Sequence, residues 1–248
     1  MSVISIMWLR ELRRYTRSRA QIVASLGQPL LYLLALGFGM GPVFQKAGQG
    51  NYVQFVAPGV IAMTVLFSSV FSGIGLLFDR QFGFLKETLV APVPRFQVMF
   101  GRTLGASTVA VIQGTLVMIV CFIAGFRVTS WALFPLAFLF MGLIACVFAS
   151  LGTAIGSVLE NMQGFQLIMN FLVMPMFFLS GALYPIDHQS KVFSTIVGLD
   201  PLAYGVDALR TILISRSFYG LTVDVTVLSV VALVFVAIGT KMFSRIQV

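Results

Sequence analysis

The sequence predicts an all-α integral membrane protein. It has six transmembrane helices, an N-terminal interfacial helix and short re-entrant outer helices before the last span. Three observations predict this. The chain of 248 residues is 58% hydrophobic and only 10% charged, against about 25% charge in a soluble domain. Its mean hydropathy is +0.99, more apolar surface than a water-soluble core absorbs. Residues 20–45, 47–78, 103–126, 128–159 and 161–186 contain no Asp, Glu, Lys or Arg. Each run exceeds the roughly 20 residues a spanning helix needs. A sixth run, 225–240, becomes long enough if Lys241 snorkels and 221–224 lie at the interface. The runs are continuously apolar and rich in Leu, Phe, Val and Met, unlike the alternating segments of a β-barrel.

Residues 3–19 open the chain as an amphipathic helix. At 100° per residue Ile4, Trp8, Leu12 and Tyr15 share one side, and Arg10, Arg13, Arg14 and Arg17 lie opposite. A signal peptide is the competing reading. The apolar run that follows is too long for it, however, and no convincing small-x-small cleavage site appears. The spans then fall at about 21–42, 56–78, 99–125, 131–158, 162–180 and 221–243, with Pro175 expected to kink the fifth. An even number of spans puts both termini on one side. That side collects most of the 16 Lys and Arg, which makes it cytoplasmic. The net charge of +8 then follows from topology. Without a basic stripe interleaved with exposed aromatics, nucleic-acid binding is not indicated. The 1–248 segment reads as a single transmembrane domain.

Between spans five and six lies a long, mixed outer segment, 181–216. Apolar chain of this length outside a bilayer is expected to dip back among the spans. Asp200-Pro201 is a helix start, with Asp at the N-cap and Pro at the first helical position. Tyr204, Asp207 and Arg210 follow at spacings of three, so that Asp207 can reach Arg210.

Signs of catalysis are sparse. The single histidine, His188, sits in the outer loop, and there are no paired carboxylates or metal-spaced clusters. Cys121 and Cys146 fall in separate spans and read as small apolar fillers. No G-x-x-x-x-G-K-[ST] occurs, so the chain does not cradle ATP phosphates itself. Ionisable residues are nearly absent from the spans, against an ion-coupled transporter or proton pump. Gln163, Gln166 and Asn170 form a polar stripe on span five. It reads equally as helix–helix hydrogen bonding or as the lining of a path. Gly101-x-x-x-Gly105 and Gly152-x-x-x-Gly156 allow close helix approach, within the chain more readily than between copies.

The most unusual segment is the inner loop 80–94, in which Phe82, Leu85 and Leu89 share one helical side while Lys86 and Glu87 point elsewhere. Pro92 and Pro94 stop that helix ahead of Arg95. It is either a second interfacial helix on lipid or a knob that docks in a groove of a cytoplasmic partner.

Several stretches together resemble the membrane subunits of ABC-2 type ABC transporters, and the likeness covers essentially the whole chain. They are Phe55–Met63 (FVAPGVIAM), Leu85–Arg95 (LKETLVAPVPR), Phe177–Ile186 (FFLSGALYPI) and Asp200–Arg210 (DPLAYGVDALR). The sequence is most similar to bacterial daunorubicin-resistance-type permeases, with polysaccharide export permeases more distant. The resemblance implies a type V exporter-like fold and two copies of the chain, each on a separate ABC ATPase subunit that holds ATP and Mg. No cofactor or catalytic residue is then expected in this chain. Arg80, Phe82, Leu85, Lys86, Glu87, Leu89, Pro92, Pro94 and Arg95 would form the coupling helix, with 3–19 beside it as the connecting helix. Spans two and five would line the path, and spans one and five would form much of the dimer contact. On that reading Phe67, Phe71, Gln163, Gln166, Met169, Asn170 and Phe178 are pathway candidates. Ser180, Gly181, Tyr184, Pro185, Tyr204, Asp207 and Arg210 belong to the re-entrant outer gate. The expected cargo is an apolar or amphipathic small molecule, drug- or lipid-like, exported across the bacterial cytoplasmic membrane. The alternatives are a lipid-linked polysaccharide or, in a different class, a membrane enzyme or scaffold without an ATPase.

Overall fold

A computed structural model describes residues 2–46, 51–84, 93–185 and 190–244. Their secondary structure is helical throughout. The helices are α1 (Val3–Arg17), α2 (Arg19–Lys46), α3 (Tyr52–Phe71), α4 (Ile74–Gln81), α5 (Arg95–Ile123), α6 (Phe134–Val158), α7 (Met162–Leu179), α8 (Lys191–Gly198), α9 (Pro201–Ile214) and α10 (Leu221–Ser244). Six segments are long and apolar enough to cross a membrane: Ser25–Lys46, Tyr52–Gln81, Arg95–Ile123, Phe134–Val158, Met162–Leu179 and Leu221–Ser244. Each overlaps an expected span. Helices α8 and α9 bend by 93° at their junction, the shape of a broken or re-entrant segment.

Local chemistry sets the boundaries. Ser2, Asn51, Asn161, Ser190 and Asp200 cap α1, α3, α7, α8 and α9, each side-chain oxygen accepting a backbone N–H of the first turn. Pro94 stands at the N-cap of α5 and Pro201 at the first turn of α9. Helix α7 runs continuously through Pro175. Span two, expected as one helix, is interrupted at Ser72-Gly73, between α3 and α4. The break lies at a crossing too close for side chains. A Cβ on Gly73 would strike the carbonyl of Gly152, and one on Gly152 would strike that of Val70.

The core is built by α3, α5, α6, α9 and α10. Span two is 72% buried over its most apolar window, but the first, fifth and sixth spans only 11%, 22% and 17%. Leu31, Leu34 and Phe38 of α2 and Leu167, Ile168 and Phe171 of α7 face outward. Both predicted glycine pairs pack within the chain. Gly101 and Gly105 receive Ile4, Met7, Trp8 and Glu11 of α1, and Gly152 and Gly156 receive the break in span two. Cys121 is buried and Cys146 half-buried, both free.

Candidate functional site: a buried ion cluster and the cavity beside it

Helix α1 lies lengthwise on the first half of α5, both running in the same direction. Ile4 meets Gly101 and Glu11 meets Gly105, and the Trp8 indole N–H donates to the Thr108 hydroxyl at 3.0 Å. The fully buried positions of α1 are Met7, Glu11 and Tyr15, four residues apart. The inward seam is therefore turned slightly from the apolar side expected from sequence, and it carries a carboxylate.

That carboxylate belongs to a five-residue ion cluster. Arg10 of α1 and Arg102 of α5 both donate to Asp79 of α4 at 2.5 Å. Arg14 pairs with Glu11 at 2.8 Å, and Arg102 stands 3.8 Å from the other oxygen of Glu11. Glu11, Asp79 and Arg102 are 6%, 6% and 4% exposed. Charges this buried are held only by partners, so the cluster fixes α1, the inner end of span two and the start of span three in one arrangement. Sequence reasoning counted the arginines for topology and missed the cluster. The available signal was Glu11, the only acid in α1, placed between Met7 and Tyr15 at helical spacing.

Above the cluster a cavity of about 330 Å³ opens among α1, α2, α3 and α5. Phe67 and Phe71 line it together, stacked at 6.1 Å and 11°. They are the two pathway candidates that the structure brings into one open space. Phe178 is exposed, its ring against Phe177, which in turn touches Phe67. Gln163, Gln166 and Asn170 all face outward from α7. Met169 corrects the expectation: it is fully buried in the hydrophobic core, behind that stripe, and faces no open path.

At the inner end, Arg80 reaches Glu160 at 3.3 Å and the Leu159 carbonyl at 3.4 Å, joining the two inner loops. Arg95 donates to the Ser244 carbonyl at 2.5 Å. Phe82 caps α4, stacks on Phe78 at 6.2 Å and stays 68% exposed; Phe84 is also exposed. Pro94 is exposed just before α5. Leu85, Lys86, Glu87, Leu89 and Pro92 lie outside the described residues, as does His188.

At the opposite end, α9 is tied to its neighbours through the predicted outer residues. Asp207 accepts the backbone N–H groups of Phe218 and Tyr219 at 2.8–3.0 Å. Arg210 donates to the Gly181 carbonyl at 3.0 Å and lies 4.1 Å over the Phe55 ring. Gly181 has φ +72°, a conformation favouring glycine. The Ser180 hydroxyl donates to Phe177, Tyr184 to Phe178 and Tyr204 to Gly198, each onto a carbonyl. Pro185 borders a small pocket with Phe55, Asp207 and Arg210. Asp224 at the start of α10, within the 221–224 stretch expected at the interface, is fully buried, its carboxylate oxygens without a hydrogen-bond partner among the described residues.

Six apolar spans, an inner ion cluster and a packed outer cap define a multi-pass membrane protein. Its described residues hold no group of three or more His, Cys, Asp or Glu able to bind a metal. Residues 2–214 match the family model "ABC-2 type transporter", and the chain belongs to that family. Membrane proteins of this family work in general with an ABC ATPase partner. The chain is 26% identical to Nodulation protein J of Rhizobium leguminosarum bv. viciae over 242 residues, covering 96% of this chain and 93% of the relative. It is 27% identical to Nodulation protein J of Bradyrhizobium diazoefficiens over 230 residues, covering 91% and 86%. The proposed transport permease ycf38 of Cyanophora paradoxa is 26% identical over 243 residues, covering 91% and 82%.

Proposed function

We propose that this chain is the membrane subunit of an ATP-driven exporter. Two copies would pair, each docked on one of two separate ATPase subunits that hold ATP and Mg. The complex would move an amphipathic, drug- or lipid-like molecule outward across the bacterial cytoplasmic membrane, with both termini cytoplasmic. The observation that carries this reading is the ion cluster. Asp79 and Arg102 flank the inner loop and are bonded to each other and to α1. A displacement of that loop by a closing ATPase would therefore move α1 and spans two and three as one body. The exposed Phe78, Phe82 and Phe84 supply apolar surface for a docking groove. The outward faces of α2 and α7 leave room for a second copy and a path between copies. A lipid-linked glycan is the second reading, favoured by the polar lining of the cavity.

Purification under gentle extraction tests it. A Walker-motif ATPase should accompany the chain, with ATP turnover altered by amphiphiles. Leu85→Asp and Leu89→Asp should each abolish transport and that response while membrane insertion persists. A chain that purifies alone, or transport unchanged in both variants, would sink the coupling scheme.

A further inference from the structure

An open groove of about 760 Å³ runs along α1. Among the described residues it is lined by Ile6, Leu9, Arg10, Arg13, Arg14 and Arg17. Their spacings of three and four place them on one side of the helix, while Met7, Glu11 and Tyr15 are buried on the other. The groove has an apolar end and a basic end.

Charge decides what it takes. Arg10 and Arg14 pair with Asp79 and Glu11, yet their side chains stay 36% and 44% exposed. Arg13 and Arg17 are exposed and enter no ion pair among the described residues. Positive charge is therefore left over after the buried cluster is satisfied, and the surplus lies in the groove. Guanidinium forks match phosphate oxygens in shape and charge. Residues four apart on a helix have Cβ atoms about 5–6 Å apart, so Arg13 and Arg17 can hold one phosphate between them.

Position decides where the phosphate comes from. Arg19 is exposed six residues ahead of Ser25, where the apolar part of span one begins. That is about 9 Å along a helix, against a headgroup layer of about 5–8 Å on each side of the hydrocarbon. The basic end of the groove thus meets the bilayer at headgroup depth, within reach of long arginine side chains. Ile6 is exposed and Leu9 half-buried in the same groove. A soluble anion leaves that apolar surface in water, whereas a phospholipid covers it.

We propose that the groove on α1 binds an anionic phospholipid. Its phosphate oxygens accept from Arg13 and Arg17, and its glycerol and upper acyl carbons lie against Leu9 and Ile6. Arg10 and Arg14 line the groove and also hold the ion cluster, so a bound headgroup braces the joint between α1 and spans two and three. The site does not depend on the export reading.

The purified full chain in detergent is given equal amounts of phosphatidylglycerol and phosphatidylcholine with the same acyl chains, and retained lipid is counted by native mass spectrometry. Phosphatidylglycerol should be retained in preference and should raise the unfolding temperature. Arg13→Gln with Arg17→Gln should weaken its binding by about fivefold for each arginine removed. Arg13→Lys with Arg17→Lys should keep the preference. Lys46→Gln with Arg127→Gln removes the same charge at the opposite end of the spans and should change nothing. All four positions are exposed, and unfolding temperatures without added lipid should confirm that every variant folds. Equal retention of the two lipids, or equal loss in the far-end variant, overturns the site. Displacement of the lipid by millimolar inorganic phosphate also overturns it, by making the groove a free-anion site. So does loss of a coexpressed ATPase from the glutamine variant with its lipid preference intact, which gives the groove to a protein.

Discussion

Asp79 and Arg102 face each other across a 2.5 Å hydrogen bond, both almost wholly buried, one on each side of the inner loop. With Arg10 also on Asp79 and Glu11 beside Arg102, the loop has both its ends bolted to α1.

Removing one partner strands a buried charge, which costs about 3–5 kcal/mol. Arg102→Met should therefore lower the unfolding temperature in nanodiscs sharply, and Asp79→Asn should do likewise. Because the two touch, a double-mutant cycle should return a coupling energy above about 0.5 kcal/mol. Strict additivity would mean that the pair is not joined in the folded chain.

The break in span two depends on small residues. A Cβ on Gly152 would collide with the Val70 carbonyl, whereas nothing lies within 4 Å of one on Gly142 in the same helix. Gly152→Ala should destabilise by about 1–3 kcal/mol, while Gly142→Ala should be neutral or stabilise by up to about 1 kcal/mol. Thermal unfolding of the two variants checks this, and equal effects would count against the close crossing.

Span five carries Gln163, Gln166 and Asn170 on an outward face. Amides facing hydrocarbon are unfavourable, so they should face a second copy or a water-filled path. With Cys121 and Cys146 replaced, Asn170→Cys should crosslink between copies through a short bifunctional reagent in membranes. Reaction of Asn170→Cys with a water-soluble thiol reagent, without crosslinking, would assign the stripe to the path. Labelling only by lipid-borne reagents would reject both.

The six spans and the Asp200-Pro201 helix start were legible in the sequence because hydropathy and capping are local. A charge-free run of adequate length has few alternatives in lipid, and an Asp before a Pro caps whatever lies around it. The two glycine pairs were legible as close contacts, though not their partners. Phe67 and Phe71 could be named as path candidates only through the family likeness, which assigns span two to the path; that they line one cavity is a matter of tertiary packing. Met169 was named from its residue type and its span, neither of which says what covers a side chain in the folded protein.

Sequence by itself determined that this chain lives in a bilayer and which segments interrupt the crossings. Those properties depend on composition over windows of about 20 residues. Only the tertiary structure decided that Glu11 meets Arg102, that Arg10 and Arg102 share Asp79, and that span two breaks against Gly152. These partners are separated by tens of residues, and a buried charge is tolerable only where its counter-charge arrives in three dimensions.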